Sequence, residues 1–242
     1  MNAFRVWSWN VLADAYLILD YYPHLTSRPE SAGRLTMVSD VVARFADLAD
    51  VICLQEVDAR AADAVGDRLV GWDTTWVQRP GGRPDGSLVS TRSGLGARHT
   101  SLEILGRRSA ATAEIGVDDS SVLFASVHIS WAPPEAADHP GVEEVAELVR
   151  ILGDPAAVVV AGDLNDDAGG QVMSAFERFG FIGCGNSSPT AFVNGGGRII
   201  DHVVGRGVGL TDIPGNWKAD GPLPDAGFPS DHVPVAALVT FD

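Results

Sequence analysis

The sequence predicts an α/β fold in which two mixed β-sheets pack face to face and helices cover their outer surfaces. Three observations predict it. Apolar runs of strand length, such as "VICLQ" and "AAVVVAG", read as buried strands. Amphipathic helical stretches separate some of these strands, while other strands follow one another directly. The order strands, helix, strands then occurs twice along the chain. With 242 residues, 45% of them hydrophobic, the chain can bury one substantial core. No linker or repeat interrupts it, so a single domain over residues 1–242 is expected.

The elements follow in order. "FRVWSWN" alternates and reads as the first strand. "YYPHLTSRPESAGR" is loop-like, and helical spacing of apolar residues then covers Leu35–Leu48. "DVICLQEVD" is a buried strand ending in acid, and "ARAADAVGDRLV" is an amphipathic helix. "DTTWVQ", "GSLVST", "SLEIL" and "SAATAEI" are short strands, and "SSVLFASVHIS" is a long one. "GVEEVAELVRIL" is a helix, "AAVVVAG" a buried strand, and "GQVMSAFERFG" a helix closed by Gly180. "RIIDHVVG" and "VPVAALVTF" are the last two strands.

Composition excludes several function classes. No run is long and apolar enough to cross a membrane, and "MNAFRVWSWN", with no basic start followed by an apolar stretch, is not expected to be a signal peptide. The expected setting is cytoplasmic. There the sequon at Asn186 carries no meaning, and Cys53 and Cys184 are expected unpaired, Cys53 as a small buried side chain. A net charge of −15, with Lys218 the only lysine, argues against broad non-specific nucleic-acid binding. An acidic protein can still handle phosphate if its cleft holds cations. The oligomeric state is not read from the sequence.

Six apolar segments finish in, hold or follow a side chain able to bind metal or phosphate. These are Asn10, Glu56, His128, Asp163 with Asn165, Asp201, and Asp231 with His232. Ligands of α/β sheets collect at strand ends, so one shared cleft is expected. Singly, each has a plain reading: Glu56 as a strand meeting water, Asn10 as a turn residue, His128 as a hydrogen-bonded core histidine. Asp201 is different, because a carboxylate inside an apolar strand is costly without a partner, and His232 is the candidate. Pro229 and Pro234 stiffen the chain around Asp231 and His232. In "VVVAGDLNDD", Asp163 and Asn165 are two apart and share a face if the chain stays extended, with Leu164 turned to the core. Asp166 and Asp167 read as solvated or as helix caps. "DLNDD" starts like an EF-hand loop, but Ala168 and Ser174 stand where glycine and glutamate are required.

Glu56, Asp163, Asp201 and Asp231, with Asn10 and Asn165, make an all-oxygen set that suits Mg²⁺ or Mn²⁺ better than zinc. Two histidines beside it can donate to phosphate oxygens. These are the parts of a metal-assisted attack of water on phosphorus. Tyr21, Tyr22, Trp131 and Arg92 are candidates for the cleft wall, with Trp131 equally readable as core.

The motifs "WNVLAD", "DVICLQEVD", "HISW", "GDLN", "IDHV" and "SDHVPV" resemble, in order, those of the endonuclease/exonuclease/phosphatase superfamily, the DNase I-like fold. The resemblance spans nearly the whole chain and implies a four-layer α/β sandwich. It implies that Glu56 and Asn10 hold the metal, with Asp231 supporting that side. It implies that His128 contacts phosphate and that Asp163, with Asn165 beside it, activates the attacking water. His232, held by Asp201, would stabilise the transition state. The likeness is greatest to the deadenylase and nocturnin branch, through "WNVLADAY" to Tyr16, the loop leading to Arg34, "HISWAPPE" with Pro133, and "DGSLVSTRSG" with Arg92. Tyr16, Arg34, Pro133 and Arg92 are therefore candidate substrate contacts, Pro133 at the position that helps hold a base. Where that branch stacks an aromatic residue on adenine, this chain reads "NGGGRII", and His202 stands where an aromatic residue usually follows the aspartate. The resemblance thus carries the catalytic chemistry rather than poly(A) specificity.

The expected function is a divalent-metal-dependent phosphoesterase acting on phosphodiester bonds of single-stranded nucleic acid or a nucleotide. The alternatives are a small-molecule phosphomonoesterase at the same site, or a non-catalytic binding protein on this fold.

Overall fold

Two β-α-β units set the architecture, each joining parallel strands through a helix. In the first, β1 (Asn2–Asn10) leads through α1 (Ser31–Ala46) to β2 (Val51–Gln55). In the second, β7 (Ser120–His128) leads through α3 (Gly141–Leu152) to β8 (Ala157–Asp163). Around them the chain adds α2 (Ala59–Arg68), β3 (Trp72–Gln78), β4 (Gly86–Arg92), β5 (Arg98–Ile104) and β6 (Arg108–Val117). It then adds α4 (Gln171–Arg178), β9 (Ile182–Gly183), β10 (Asp201–Arg206), β11 (Gly209–Asp212) and β12 (Val235–Phe241). The computed structural model describes residues 2–133, 135–185, 188–192, 196–214 and 221–241. Asn186, Lys218, Pro134 and the first part of the "NGGG" stretch lie outside the described residues.

The strands form two six-stranded sheets, ordered β11-β12-β1-β2-β4-β3 and β5-β6-β7-β8-β10-β9. Alternation along the strands explains the layers. Val6, Cys53 and Val89 of the first sheet meet Ala111, Phe124, Val159 and Val203 of the second. On the opposite face, Trp7, Trp9, Ile52 and Leu54 pack against Val38, Val42 and Phe45 of α1 and Val65 of α2. Likewise Ala125, Val127, Val158 and Val160 pack against Val145 and Leu148 of α3 and Val172 and Phe176 of α4. Each Val, Leu, Ile or Phe among them, once covered, contributes about 1.5–3 kcal/mol. The result is the expected four-layer sandwich. Both cysteines are free and buried, Cys53 in the layer between the sheets.

Two sequence expectations need correction, and two strands carry no sequence signal. The first helix starts at Ser31, not Leu35, so Arg34 is helical and buried rather than part of a loop. Asp201 begins β10 instead of lying within a strand, because Arg198–Ile200 precede the sheet. The short edge strands β9 and β11 carry no apolar alternation by which the sequence could announce them. The helix-cap reading of Asp166 holds: its Oδ2 accepts the Val172 N–H of α4 at 2.7 Å.

Gly162 shows how tightly the central strands are joined. A Cβ there would stand 1.9 Å from the Val127 carbonyl oxygen of the neighbouring β7. We predict that Gly162→Ala destabilises the fold by about 1–3 kcal/mol through overpacking. Thermal unfolding checks this, and an unchanged midpoint would contradict it.

Candidate active site

Pairing directions bring the polar strand ends to one edge. Parallel β1 and β2 set Asn10 beside Gln55, one residue before Glu56. Parallel β7 and β8 set His128 beside Asp163. β10 runs antiparallel to β8 and begins with Asp201 opposite Asp163. β12 is antiparallel to β1, so Asp231 and His232, which precede it, arrive at the same edge. The shared cleft therefore collects the ends of four strands and the beginnings of two.

Asn10 bridges the sheets. Its Nδ2 donates to Glu56 Oε1 at 3.1 Å and to Asp163 Oδ2 at 3.0 Å, while its Oδ1 accepts from Leu12 N at 3.0 Å. Glu56 Oε2 accepts from Ala13 N at 3.1 Å, and Asp163 Oδ1 from Asn165 N at 3.0 Å. Leu12, Glu56 and Asn165 all adopt left-handed backbone, with φ of 57°, 54° and 55°. Such strain persists only where surroundings impose it. It also corrects the reasoning for Asn165: this residue reaches the cleft through a left-handed turn, not by strand alternation. Leu164 is fully buried, as expected.

The two histidines differ. His232 Nδ1 pairs with Asp201 Oδ2 at 2.8 Å, and its Nε2 lies 3.8 Å from Asp163 Oδ2. The loop before it is pinned by Trp9 Nε1 donating to the His232 carbonyl at 2.8 Å and by Ser230 Oγ donating to the Asn10 carbonyl at 2.7 Å. Burial opposes a charge on His232, but Asp201, Asp231 and Asp163 outweigh it and hold the imidazole pKa well above its ordinary value. His128 is the reverse: burial, then the charges of Arg108 and Arg79, push its pKa well down, so it is neutral. Asn165 Nδ2 lies 3.1 Å from His128 Nε2 and donates to the Ile129 carbonyl at 2.9 Å.

The carboxylates are strained electrostatically. Burial, reinforced by Asp231 and Asp163, pushes Glu56 up to about 7. Burial, opposed by His232 and reinforced by Asp201, pushes Asp163 up to about 6. Asp231 Oδ2 accepts from Tyr22 Oη at 2.9 Å, but its buried Oδ1 has no hydrogen-bond partner among the described residues. Glu56, His128 and Asp163 offer ligand atoms within 4.8 Å of one another, as do Asp163, Asp201 and His232. In the second group Asp201 and His232 already pair with each other, so the Glu56–Asp163 side fits a hard cation better; Asp231 belongs to neither group.

Glu56, His128, Asp163, Asn165, Asp231 and His232 floor a cavity of about 660 Å³, with Asn10 and Asp201 behind them rather than in its lining. Tyr16, Tyr21 and Tyr22 line it, and Trp131 stands at it 56% exposed, so Trp131 belongs to the cleft and not the core. Tyr16 donates to Asp85 Oδ1 at 2.6 Å. Two expected substrate contacts are elsewhere. Arg92 ends β4, which is antiparallel to β2, and so sits at the far end from Glu56. It lies 4.9 Å over the Trp72 ring and donates to the Ala49 carbonyl at 2.9 Å. Arg34 is buried behind the cleft and held by Asp14 Oδ1 at 2.7 Å and the carbonyls of Val11 and Pro229. Pro133 lines a neighbouring cavity of about 290 Å³ that shares Asn165 and Arg198 with the first. His202 is structural, its Nε2 2.8 Å from the Asp166 carbonyl.

Sequence reasoning missed Arg79 and Arg108, which also line the main cavity. For Arg108 a signal existed: it opens the apolar strand "RSAATAEIGV" and is buried there.

Residues 7–232 match the model of the endonuclease/exonuclease/phosphatase family, and the chain belongs to that family. A search of curated proteins returned no match. Among solved structures, ANGEL2, a 2′,3′-cyclic phosphatase in complex with adenosine-2′,3′-vanadate, superposes with a TM-score of 0.75 at 16% identity, over 99% of this chain and 96% of that one. The human Nocturnin catalytic domain superposes with 0.71 at 18%, over 99% and 95%. A mannosyl-6-phosphatase from Bacteroides thetaiotaomicron superposes with 0.70 at 17%, over 98% and 99%. These likenesses establish the DNase I-like fold, and two of the three neighbours are phosphatases.

The raised Glu56 pKa sets a pH test. A carboxyl raised in the folded state contributes stability that is present below its unfolded value, near 4.5, and is lost as pH rises through about 7. We predict that, in EDTA, Glu56→Gln gains stability relative to the parent between those limits. Thermal midpoints at both ends check it, and a constant difference would contradict it.

Proposed function

We propose that this chain is a divalent-metal-dependent phosphoesterase that hydrolyses a phosphodiester bond of a nucleic acid or nucleotide by direct attack of water. The carrying observation is the Asn10-bridged pair of Glu56 and Asp163 facing a His232 charged through Asp201. Glu56, with Asn10 and Asp231, would hold Mg²⁺ or Mn²⁺. The bound ion would supply positive charge to the phosphate oxygens.

The chain's own groups supply the rest. Asp163, its pKa raised to about 6 chiefly by burial, is placed to orient a water and take its proton near neutral pH. Asn165 steadies that position through its backbone N–H to Asp163. His232 presents Nε2 toward the reacting centre, and its positive charge stabilises negative charge growing on the phosphoryl oxygens. Asp201 holds that imidazole in place and keeps it protonated. His128, neutral, contributes a ring N–H as a further donor.

Two cavities meeting at Asn165 support a diester, which has an arm on each side of phosphorus. A phosphomonoester reading stands second, favoured by the net charge of −15. A setting in the cytoplasm is part of the proposal, and no helix among the described residues is long and apolar enough to cross a membrane.

A Mg²⁺ assay against single-stranded RNA, single-stranded DNA and a panel of phosphomonoesters tests this reading. We expect diester cleavage, with kcat lowered about 10²–10⁴-fold by Asp163→Asn and about 10²–10³-fold by His232→Gln. Release of phosphate from monoesters with both polymers intact would replace the diester reading. Unaltered activity in both variants would remove the assigned site.

A further inference from the structure

The cavity wall on the His128 side carries two arginines that the proposed hydrolysis does not use. Arg108 opens β6 with its side chain 8% exposed. Its Nε donates to Ser130 Oγ at 3.1 Å and lies 3.9 Å from Glu144 Oε1. Glu144 is wholly buried on α3, where it also accepts from Ser130 N at 2.8 Å, Ser130 Oγ at 2.6 Å and Arg107 Nε at 2.7 Å. Arg108 Nη1, also buried, has no hydrogen-bond partner among the described residues.

Arg79 follows β3 and reaches the same wall. Its backbone N–H donates to the Asp85 carbonyl at 2.8 Å, and its Nη1 lies 3.8 Å from Asp85 Oδ2. Asp85 is itself buried, with Oδ1 taken by Tyr16. Arg79 is thus held by the Arg107 carbonyl, which accepts from its Nε at 3.1 Å, and by buried Asp85, and Arg108 by Ser130 and by buried Glu144, which it shares with Arg107. Arg79 is close enough to disfavour the charge on Arg108, after burial, and both cations act on His128. Like charges held together on a cavity wall are costly until an anion arrives. Neither pairs with Glu56, Asp163 or Asp231, whose side of the cavity suits a cation. A cavity of about 660 Å³ is sized for a nucleotide-scale ligand and not for one phosphoryl group.

We propose that Arg79 and Arg108 form a second anion subsite that binds a phosphate of the substrate other than the one cleaved. The substrate is then a nucleotide or oligonucleotide end bearing an additional phosphate near the scissile bond. Planar guanidinium donors suit phosphate oxygens, and Asp85 and Glu144 leave N–H groups for them. This inference rests on the phosphoesterase reading of the site.

Paired substrates test it: adenylyl-adenosine with and without a 5′-phosphate, and adenosine 3′,5′-bisphosphate against adenosine 3′-monophosphate. In the parent, the member with the extra phosphate should react with kcat/KM about tenfold higher or more. Arg79→Gln should cut that preference about tenfold, mainly through KM, and Arg79→Lys should restore part of it. Arg108→Gln should act alike, and the more exposed Arg79 keeps the test open if the Arg108 variant does not fold. Absence of any preference in the parent, or a parental preference surviving in Arg79→Gln, would overturn the subsite while leaving hydrolysis standing. If the parent cleaves no phosphate ester, the proposed function fails instead, and calorimetry with inorganic pyrophosphate in EDTA decides the subsite. Binding about tenfold weaker in Arg79→Gln supports it; equal binding overturns it.

Discussion

Four carboxylates, Glu56, Asp163, Asp201 and Asp231, are held in one largely buried space, and the rest of the site answers to that constraint. Buried like charges repel, and each must be neutralised, hydrogen-bonded or paired. The protein solves each case differently. Asp201 gains His232, Asp231 gains the Tyr22 hydroxyl, and Asp163 gains Asn10 and a backbone N–H. Glu56 gains Asn10 and the Ala13 N–H. The amide of Asn10 does double duty, joining a carboxylate of each sheet. The sheets must therefore meet in one register for the site to exist.

That constraint also explains the polarity of the cleft. Carboxylates gather where the ends of β2 and β8, the start of β10 and the turn into β12 meet, and cations gather on the wall built from β3, β6 and the His128 end of β7. His128 and His232 stand between the two regions and are driven to opposite protonation states by their neighbours. A net charge of −15 over the whole chain conceals this local division. Left-handed backbone at Leu12, Glu56 and Asn165 places strain where the carboxylates must be re-aimed at strand ends.

Much of this was legible in the sequence, for physical reasons. Apolar strands ending in polar residues disclosed the edge of the site, and the cost of a buried carboxylate disclosed the pairing of Asp201 with His232. Arginines were not legible. Their long chains carry the charge away from the backbone, so Arg34 and Arg92 looked available when packing had consumed them, while Arg79 looked ordinary and Arg108 showed only as a charge at the head of an apolar strand. Arg92 was misplaced because strand direction is set by sheet pairing, which one strand's sequence does not encode. The early start of α1 was hidden because Gly33 weakens the helical pattern, while Arg34 is fixed by tertiary contacts to Asp14, Val11 and Pro229.

The central claim is that these carboxylates converge because a divalent cation belongs among them. Electron paramagnetic resonance of Mn²⁺ added to the protein and to its Glu56→Gln variant tests it most directly. The account predicts bound Mn²⁺ that Mg²⁺ displaces and that is lost or greatly weakened in the variant. No Mn²⁺ binding, or equal binding by both proteins, would contradict it.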